Sequence, residues 1–187
     1  LSTLGVYGEP IYLPSDENHP LQPIEKYSET KLSAEKEILR YNCSYNMNIV
    51  IVRPFNIYGS GQSHRMLIPH LINQIISKNI ISVYNIQHSR DFLHVDDFIS
   101  GIKEIIDSNL KNKEILNLGS ANETTVEEII FLLGKILNKK LKIKILQSGQ
   151  NFPTVTRSRA DISKVTKLTS WKPKISIDRG LENLIKF

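Results

Sequence analysis

The sequence has little cysteine, no long hydrophobic run and no strong excess of one charge. The single cysteine, Cys43, cannot form an internal disulfide bond and suits a reducing compartment, so we expect a cytoplasmic protein. No apolar stretch approaches the ~20 residues that a membrane-spanning helix needs, and residues 1–10 do not resemble a secretory signal. The net charge of +5 is mild and its basic residues are mixed with acidic ones, which argues against a nucleic-acid-binding surface.

Spacings typical of metal ligands are also lacking. The five histidines show no helical i,i+4 pairing and no cysteine partners, so we expect no metal site; they are His19, His64, His70, His88 and His94. The adjacent Asp96 and Asp97 stand at the start of a predicted helix. We interpret them as capping residues that complement the helix dipole, not as a catalytic carboxylate pair.

Segments with helical periodicity alternate with short apolar segments typical of buried strands. We expect helices at 25–44, 66–77, 96–108, 125–137, 161–168 and 177–187, and strands at 48–53, 80–84, 91–95, 114–118 and 141–146. Residues 55–63 are expected to form a loop around two glycines. This alternation predicts an α/β fold with parallel strands.

Tyr27 and Lys31 are one helical turn apart, so they share a face of the first predicted helix. This face carries an apolar stripe that we expect to pack against the core; it consists of Tyr27, Lys31, Ala34, Ile38, Tyr41 and Tyr45. A lysine there either extends its ammonium group to solvent or has a buried task. A lysine with a buried task can stabilise the phenolate form of a neighbouring tyrosine. Without such a cation, the tyrosine ionises only near pH ~10. Such a tyrosine can take a proton from a hydroxyl group while a hydride leaves the same carbon.

Four ordered motifs resemble those of the extended short-chain dehydrogenase/reductase family, and more narrowly its nucleotide-sugar epimerases and dehydratases. They are Ser2-Thr3 with Val6-Tyr7-Gly8, Tyr27-Ser28-Glu29-Thr30-Lys31, Arg53-Pro54-Phe55-Asn56-Ile57-Tyr58-Gly59 and Arg90-Asp91-Phe92-Leu93-His94-Val95-Asp96-Asp97. Weaker similarity continues to the end of the chain. The resemblance implies the C-terminal part of a Rossmann-like parallel sheet in residues 1–60. It also implies a smaller mixed α/β substrate-binding domain in 61–187, with residues 95–120 returning to the sheet.

The resemblance implies a role for each matching residue. Tyr27 is expected to be the catalytic base and acid, Lys31 to bind the nicotinamide ribose and support the Tyr27 phenolate, and Thr3 to bind the reacting sugar hydroxyl. The expected cofactor is NAD, with NADP left open, and the expected substrate is a nucleoside-diphosphate sugar. The other implied contacts are Pro54 and Phe55 beside the nicotinamide, Asn56 and Arg90 at the diphosphate, Leu67 in the nucleotide pocket and Tyr84 on the base.

Two segments depart from the family pattern. Residues 85–89 replace a Gly-Asp-Gly turn that usually precedes the Arg-Asp-Phe motif, and they make this stretch one residue shorter. A further arginine expected within 147–150 is missing. Arg157 or Arg159 could substitute for it, although an ordinary surface position is the better interpretation of both.

The positions after Thr3 distinguish the reactions of the family. Dehydratases carry an Asp-Glu pair there and decarboxylases a Glu, whereas this chain has Leu4 and Gly5, neither of which can donate a proton. The pattern therefore favours a 4-epimerase over a 4,6-dehydratase. It leaves open a 4-keto-reductase, which needs the same groups, and a catalytically silent nucleotide-sugar-binding or interaction module.

A glycine-rich turn for a dinucleotide pyrophosphate is absent from the sequence. The family resemblance begins near the fifth strand of the sheet, so we expect this chain to be the C-terminal portion of a longer protein. The resemblance also implies a homodimer formed through the helix that bears Tyr27.

Overall fold

In the described part of the chain, three pairs of parallel strands and one short antiparallel pair form the sheets. The structure, a computed structural model, describes residues 1–45 (for 42–45 the backbone alone), 47–78, 80–110, 113–147 and 155–186. The strands are β1 (Ile49–Pro54), β2 (Asn56–Tyr58), β3 (Ile80–Val83), β4 (Ser89–Arg90), β5 (Phe92–His94), β6 (Lys113–Leu118), β7 (Thr124–Thr125) and β8 (Lys142–Ile145). β1 pairs with β6, β2 with β5 and β3 with β8 in parallel, and β4 pairs with β7 antiparallel. Parallel pairing confirms the predicted α/β class.

The described residues also form six α-helices, one before β1 and the others between and after the strands. They are α1 (Lys26–Tyr45), α2 (Leu67–Ser77), α3 (Val95–Asp107), α4 (Val126–Ile136), α5 (Ser163–Thr169) and α6 (Ile177–Ile185), and a 3₁₀ turn covers Leu4–Val6. Their positions agree with the sequence-based prediction, which omitted β2, β4 and β7. The prediction of a loop over 55–63 is wrong for Asn56–Tyr58. These residues form β2, because they pair with β5, which lies far along the chain. Within the described residues, no helix has the length and apolarity that spanning a membrane requires.

The helix caps confirm one prediction and correct another. Thr125 caps α4: its hydroxyl accepts a hydrogen bond from the Glu128 amide at 3.1 Å, and the Glu128 carboxylate accepts one from the Thr125 amide at 2.7 Å. At α3, Asp96 and Asp97 lie in the first turn, as predicted for residues that complement the helix dipole. Their predicted capping role is wrong, because His94 Nδ1 accepts the first-turn hydrogen bond. The Asp97 carboxylate instead accepts hydrogen bonds from backbone amides at 174–175, ahead of α6.

The buried face of α1 is not the one predicted. Tyr27 is 60% exposed and Ile38 44% exposed, whereas Ser28, Leu32 and Glu35 are buried. Glu35 takes this place because its carboxylate forms an ion pair with the buried Arg53 guanidinium. A buried charge with a partner thus decides the orientation of the helix against the hydrophobic pattern.

Among the residues that the structure describes, buried hydrophobic side chains form three clusters. One lies between α2, α4 and β3, and a second between β6, α3 and α5. The third is small and packs the 3₁₀ turn and the β1–β2 junction against α1, through Val6, Tyr7, Leu32 and Phe55. It therefore holds the residues around Thr3 next to the start of the helix that carries Tyr27.

Candidate active site

An open cleft of about 1860 Å³ lies beside the 3₁₀ turn, the start of α1, the β1–β2 junction and α2. All the predicted site residues except Lys31 line it: Thr3, Tyr27, Pro54, Phe55, Asn56, Leu67, Tyr84 and Arg90. No aspartate or glutamate of the described part of the chain lines the cleft, and Arg90 contributes a cation. The cleft therefore suits an anionic ligand and offers no carboxylate as a second acid or base.

Tyr27 and Lys31 lie side by side on the exposed face of α1. The Lys31 ammonium is 5.8 Å from the centre of the Tyr27 ring and donates a hydrogen bond to the Leu1 carbonyl at 3.2 Å. Since an ammonium has three donors, Lys31 retains two for a ligand. The pair thus combines a phenol that opens into the cleft with a cation beside it.

The Thr3 hydroxyl is oriented by the backbone that follows it. Its oxygen accepts a hydrogen bond from the Gly5 amide at 3.2 Å, so its own O–H group remains available to donate into the cleft. The Ser2 amide donates to the Val52 carbonyl at 2.7 Å, which holds this segment alongside β1. Ser2 also lines the cleft, and its buried hydroxyl has no hydrogen-bond partner among the described residues.

Asn56 lines the cleft and is held from behind by the buried Asp91. The Asn56 side-chain amide donates to the Asp91 carbonyl and to the Ser158 hydroxyl, both at 3.3 Å, so its donors are directed toward the protein. The Asp91 carboxylate is fully buried, and burial raises its pKa to about 6. Hydrogen bonds from Ser120, Ala121 and Ala160 oppose this rise and hold the carboxylate in place.

Arg90 lines the cleft and binds backbone carbonyl groups at residues 155–156. Its guanidinium donates to the carbonyls of Ser89 at 2.8 Å and Thr156 at 3.0 Å, and also to that of Val155. Burial lowers the pKa of Arg90. Carboxylate oxygens of Glu9 in turn accept hydrogen bonds from the Thr156 amide and hydroxyl. Arg90 therefore already fixes the backbone of 155–156 at the rim.

Two segments depart from the family pattern: residues 147–150, which lack an expected arginine, and residues 85–89, which lack an expected glycine-rich turn. Arg157 forms a two-point ion pair with Glu123, both contacts at 2.8 Å, and does not line the cleft. Residues 148–150 of the segment that lacks the expected arginine lie outside the described residues. In the other segment, His88 lines the cleft, and burial lowers its pKa.

Several cleft residues were missed by sequence reasoning. They include Leu4, Gln62, His70, Gln74 and Ser82. The Gln74 side chain accepts a hydrogen bond from the Ser82 amide at 2.7 Å and donates one to the Ser82 carbonyl at 3.2 Å, which fastens α2 to β3. No local sequence signal marks these residues, because the wall that they form depends on packing between separate elements. Among the described residues, no group of three or more metal-ligating side chains is found.

Comparison with known proteins identifies the family. The model of the NAD-dependent epimerase/dehydratase family matches residues 1–119. The chain is a member of the NAD-dependent epimerase/dehydratase family. This membership confirms the resemblance inferred from the four motifs and, for the family, the dependence on NAD.

Relatives of this family member include enzymes named for UDP-sugars. It is 33% identical over its full length to an uncharacterised UDP-glucose epimerase of Bacillus subtilis, of which it covers 58%. It is 33% identical over 88% of its length to a UDP-glucuronate 4-epimerase of Thermodesulfobacterium geofontis, of which it covers 50%.

A solved structure confirms the fold of this family member. The UDP-glucuronic acid 4-epimerase of Bacillus cereus, in complex with UDP-glucuronic acid and NAD, superimposes with a TM-score of 0.91 at 31% identity. The match covers 99% of this chain and 59% of that protein. The chain thus spans about 60% of the length of the Bacillus subtilis and Bacillus cereus proteins.

Proposed function

We propose that this chain provides the acid–base and substrate-binding residues of a NAD-dependent nucleotide-sugar 4-epimerase. The observation that carries the proposal is the meeting of Thr3, Tyr27 and the Pro54–Phe55 junction in one cleft without a carboxylate in its described wall. An epimerase needs a single proton-transfer group and a hydride acceptor, whereas elimination of water needs a further acid.

The cleft has features that fit a nicotinamide cofactor. Pro54 and Phe55 give it an uncharged wall close to Tyr27, and Lys31 has two donors left for ribose hydroxyls. When bound, NAD supplies the acceptor for the hydride of the sugar carbon and afterwards returns that hydride.

In the proposed reaction the chain moves one proton in each direction. The Tyr27 oxygen takes the proton of the C4 hydroxyl as the C4–H bond breaks, which leaves a carbonyl at C4. The Thr3 hydroxyl donates a hydrogen bond to the same sugar oxygen and holds it at Tyr27. After the keto-sugar has turned its other face to the cofactor, Tyr27 gives the proton back to the C4 oxygen. The sugar returns with inverted configuration and no net oxidation.

The rest of the cleft is proposed to hold the nucleoside diphosphate. Arg90 is the cation of the wall and is suited to a diphosphate oxygen, while Tyr84 is 66% exposed and can stack on a base. Leu67 contributes an apolar wall. We assign Asn56 to the same subsite, where its hydrogen bonds to Asp91 and Ser158 hold the wall in place. The names of the relatives support UDP as the nucleotide, and the single cysteine is consistent with a cytoplasmic protein.

Product analysis with the full-length protein tests the proposed reaction. We expect UDP-glucose or UDP-glucuronate with NAD to yield a mixture of both C4 epimers, followed through the sugar signals in proton NMR. A 4-keto-6-deoxy product would assign a dehydratase, and stoichiometric consumption of NADH with a 4-keto-sugar would assign a reductase. Binding of UDP-sugars without turnover would assign the silent binding module. Any of these three results contradicts the epimerase proposal.

We also propose that the protein dimerises through α1. Ile38 and Tyr41 give this helix an exposed apolar face away from the catalytic tyrosine, and such a face is typical of an interface. Ile38→Asp should shift the full-length protein toward the monomer in sedimentation equilibrium. Ile106→Asp, at an equally apolar exposed position on α3, should leave the oligomeric state unchanged. An Ile38→Asp protein with the mass of the wild type contradicts this proposal.

A further inference from the structure

Gly5 and Ser28 are in unusually close contact. A Cβ atom built on Gly5 would lie 2.2 Å from the Ser28 Oγ atom and 3.2 Å from the Ser28 Cβ atom. Distances below about 3 Å are not sustained by real side chains. The φ angle of Gly5 is not positive, unlike those of Gly8 and Gly61, so its backbone is compatible with alanine. The Ser28 Oγ atom, and not the backbone conformation of Gly5, therefore opposes a side chain at this position.

Both residues adjoin the two hydroxyl groups of the proposed reaction. The Gly5 amide donates the hydrogen bond that orients the Thr3 hydroxyl, at 3.2 Å, and Ser28 directly follows Tyr27. Ser28 is 4% exposed on the buried face of α1, so it cannot turn away to solvent. The contact between Gly5 and Ser28 thus links the turn that carries Thr3 to the helix that carries Tyr27.

We propose that Ser28 is a positioning residue that sets the separation between the Thr3 and Tyr27 hydroxyl groups. This inference rests on the proposed function and extends it. If the turn moves away from α1, the Gly5 amide moves and the Thr3 hydroxyl moves with it. A displacement of this kind affects the reaction strongly, because a shift of about 1 Å can cost on the order of 100-fold in rate.

Gly5→Ala in the full-length protein tests the positioning role. We expect kcat for epimerisation to fall about 10- to 100-fold while KM changes little, since Thr3 is displaced and the nucleotide contacts are not. Adding Ser28→Ala removes the Oγ atom at 2.2 Å and leaves Ser28 Cβ at 3.2 Å as the nearest remaining contact. Gly5→Ala/Ser28→Ala should therefore recover most of the lost kcat and most of the loss in melting temperature.

Ser33 provides the matched control, because it is an exposed serine of the same helix. Ser33→Ala alone should leave kcat unchanged, and Gly5→Ala/Ser33→Ala should be as impaired as Gly5→Ala. The inference is overturned if Gly5→Ala retains wild-type kcat, if Ser28→Ala brings no recovery, or if Ser33→Ala recovers activity equally well.

The melting temperatures separate this inference from the proposed function. A wild-type protein without epimerase activity refutes the proposed function. The contact is refuted if the changes in melting temperature caused by Gly5→Ala and Ser28→Ala simply add in the double variant.

Discussion

The Arg53 guanidinium and the Glu35 carboxylate form a two-point ion pair in the protein interior. Arg53 Nε lies 3.0 Å from Glu35 Oε1, and Arg53 Nη2 lies 2.6 Å from Glu35 Oε2; the side chains are 2% and 4% exposed. Arg53 also donates to the Tyr7 hydroxyl at 3.1 Å, and that hydroxyl donates to Asn117 at 2.7 Å. Burial raises the pKa of Tyr7 to about 12, so its phenol stays protonated and can donate. One guanidinium thus joins β1, α1 and the end of the 3₁₀ turn.

Removing one partner of this pair should destabilise the protein strongly. Arg53→Ala leaves the Glu35 carboxylate buried without its cation, which typically costs about 3–5 kcal/mol of unfolding free energy. Urea denaturation followed by circular dichroism measures this loss. The matched control is Lys26→Ala, because the Lys26–Glu29 pair is largely exposed and such pairs contribute about 0–1 kcal/mol. Equal losses in both variants would contradict the structural role assigned to Arg53.

Tyr27→Phe should abolish epimerisation without abolishing ligand binding. Phenylalanine keeps the ring but has no oxygen to take the proton of the sugar hydroxyl, so we expect kcat to fall by about 100- to 10,000-fold. Calorimetric titration with UDP should give the wild-type dissociation constant. Tyr12→Phe serves as the control, since the Tyr12 hydroxyl lies outside the cleft and binds Asp16. Substantial turnover by Tyr27→Phe would remove Tyr27 from its proposed role.

Arg90→Ala should weaken the binding of a nucleoside diphosphate. A hydrogen bond to a charged group contributes about 1.5–3 kcal/mol, which corresponds to a dissociation constant about 10- to 100-fold higher. Calorimetry with UDP and with uridine separates the diphosphate from the base, because only UDP should lose affinity. Arg179→Ala, on the exposed side of α6, should bind UDP like the wild type. An equal loss for uridine would show that Arg90 shapes the rim of the cleft without contacting phosphate.

Asp91 should give the unfolding free energy a characteristic pH dependence. Its pKa of about 6 in the folded protein lies above the ordinary value of 3.8, so the folded state binds more protons between these values. The contribution of Asp91 to stability is therefore largest below pH ~4 and falls by about 3 kcal/mol as the pH rises through 6. The stability difference between wild type and Asp91→Asn, measured by urea denaturation at stepped pH, should decrease across this range. A constant difference would contradict the raised pKa.

Local patterns predicted most helices and strands but not all pairings. The capping box at Thr125 and Glu128 and the apolar run of β1 are encoded within a few residues. β2 escaped prediction because its three residues form a strand only by pairing with β5. The predicted site residues other than Lys31 line one cleft, whereas Gln74 and His88 were missed because their place follows from packing.

The sequence by itself determined the α/β alternation, the family and the residues assigned to acid–base chemistry, because periodicity, caps and motifs are properties of neighbouring residues. Only the tertiary structure decided that α1 buries Ser28 and Glu35 and exposes Tyr27. The pattern of the helix alone favoured the opposite face, and the Arg53 side chain, distant in sequence, reversed that preference through a buried ion pair. Likewise, only tertiary contact brought Gly5 against Ser28, since the distance between two segments depends on what fills the space between them.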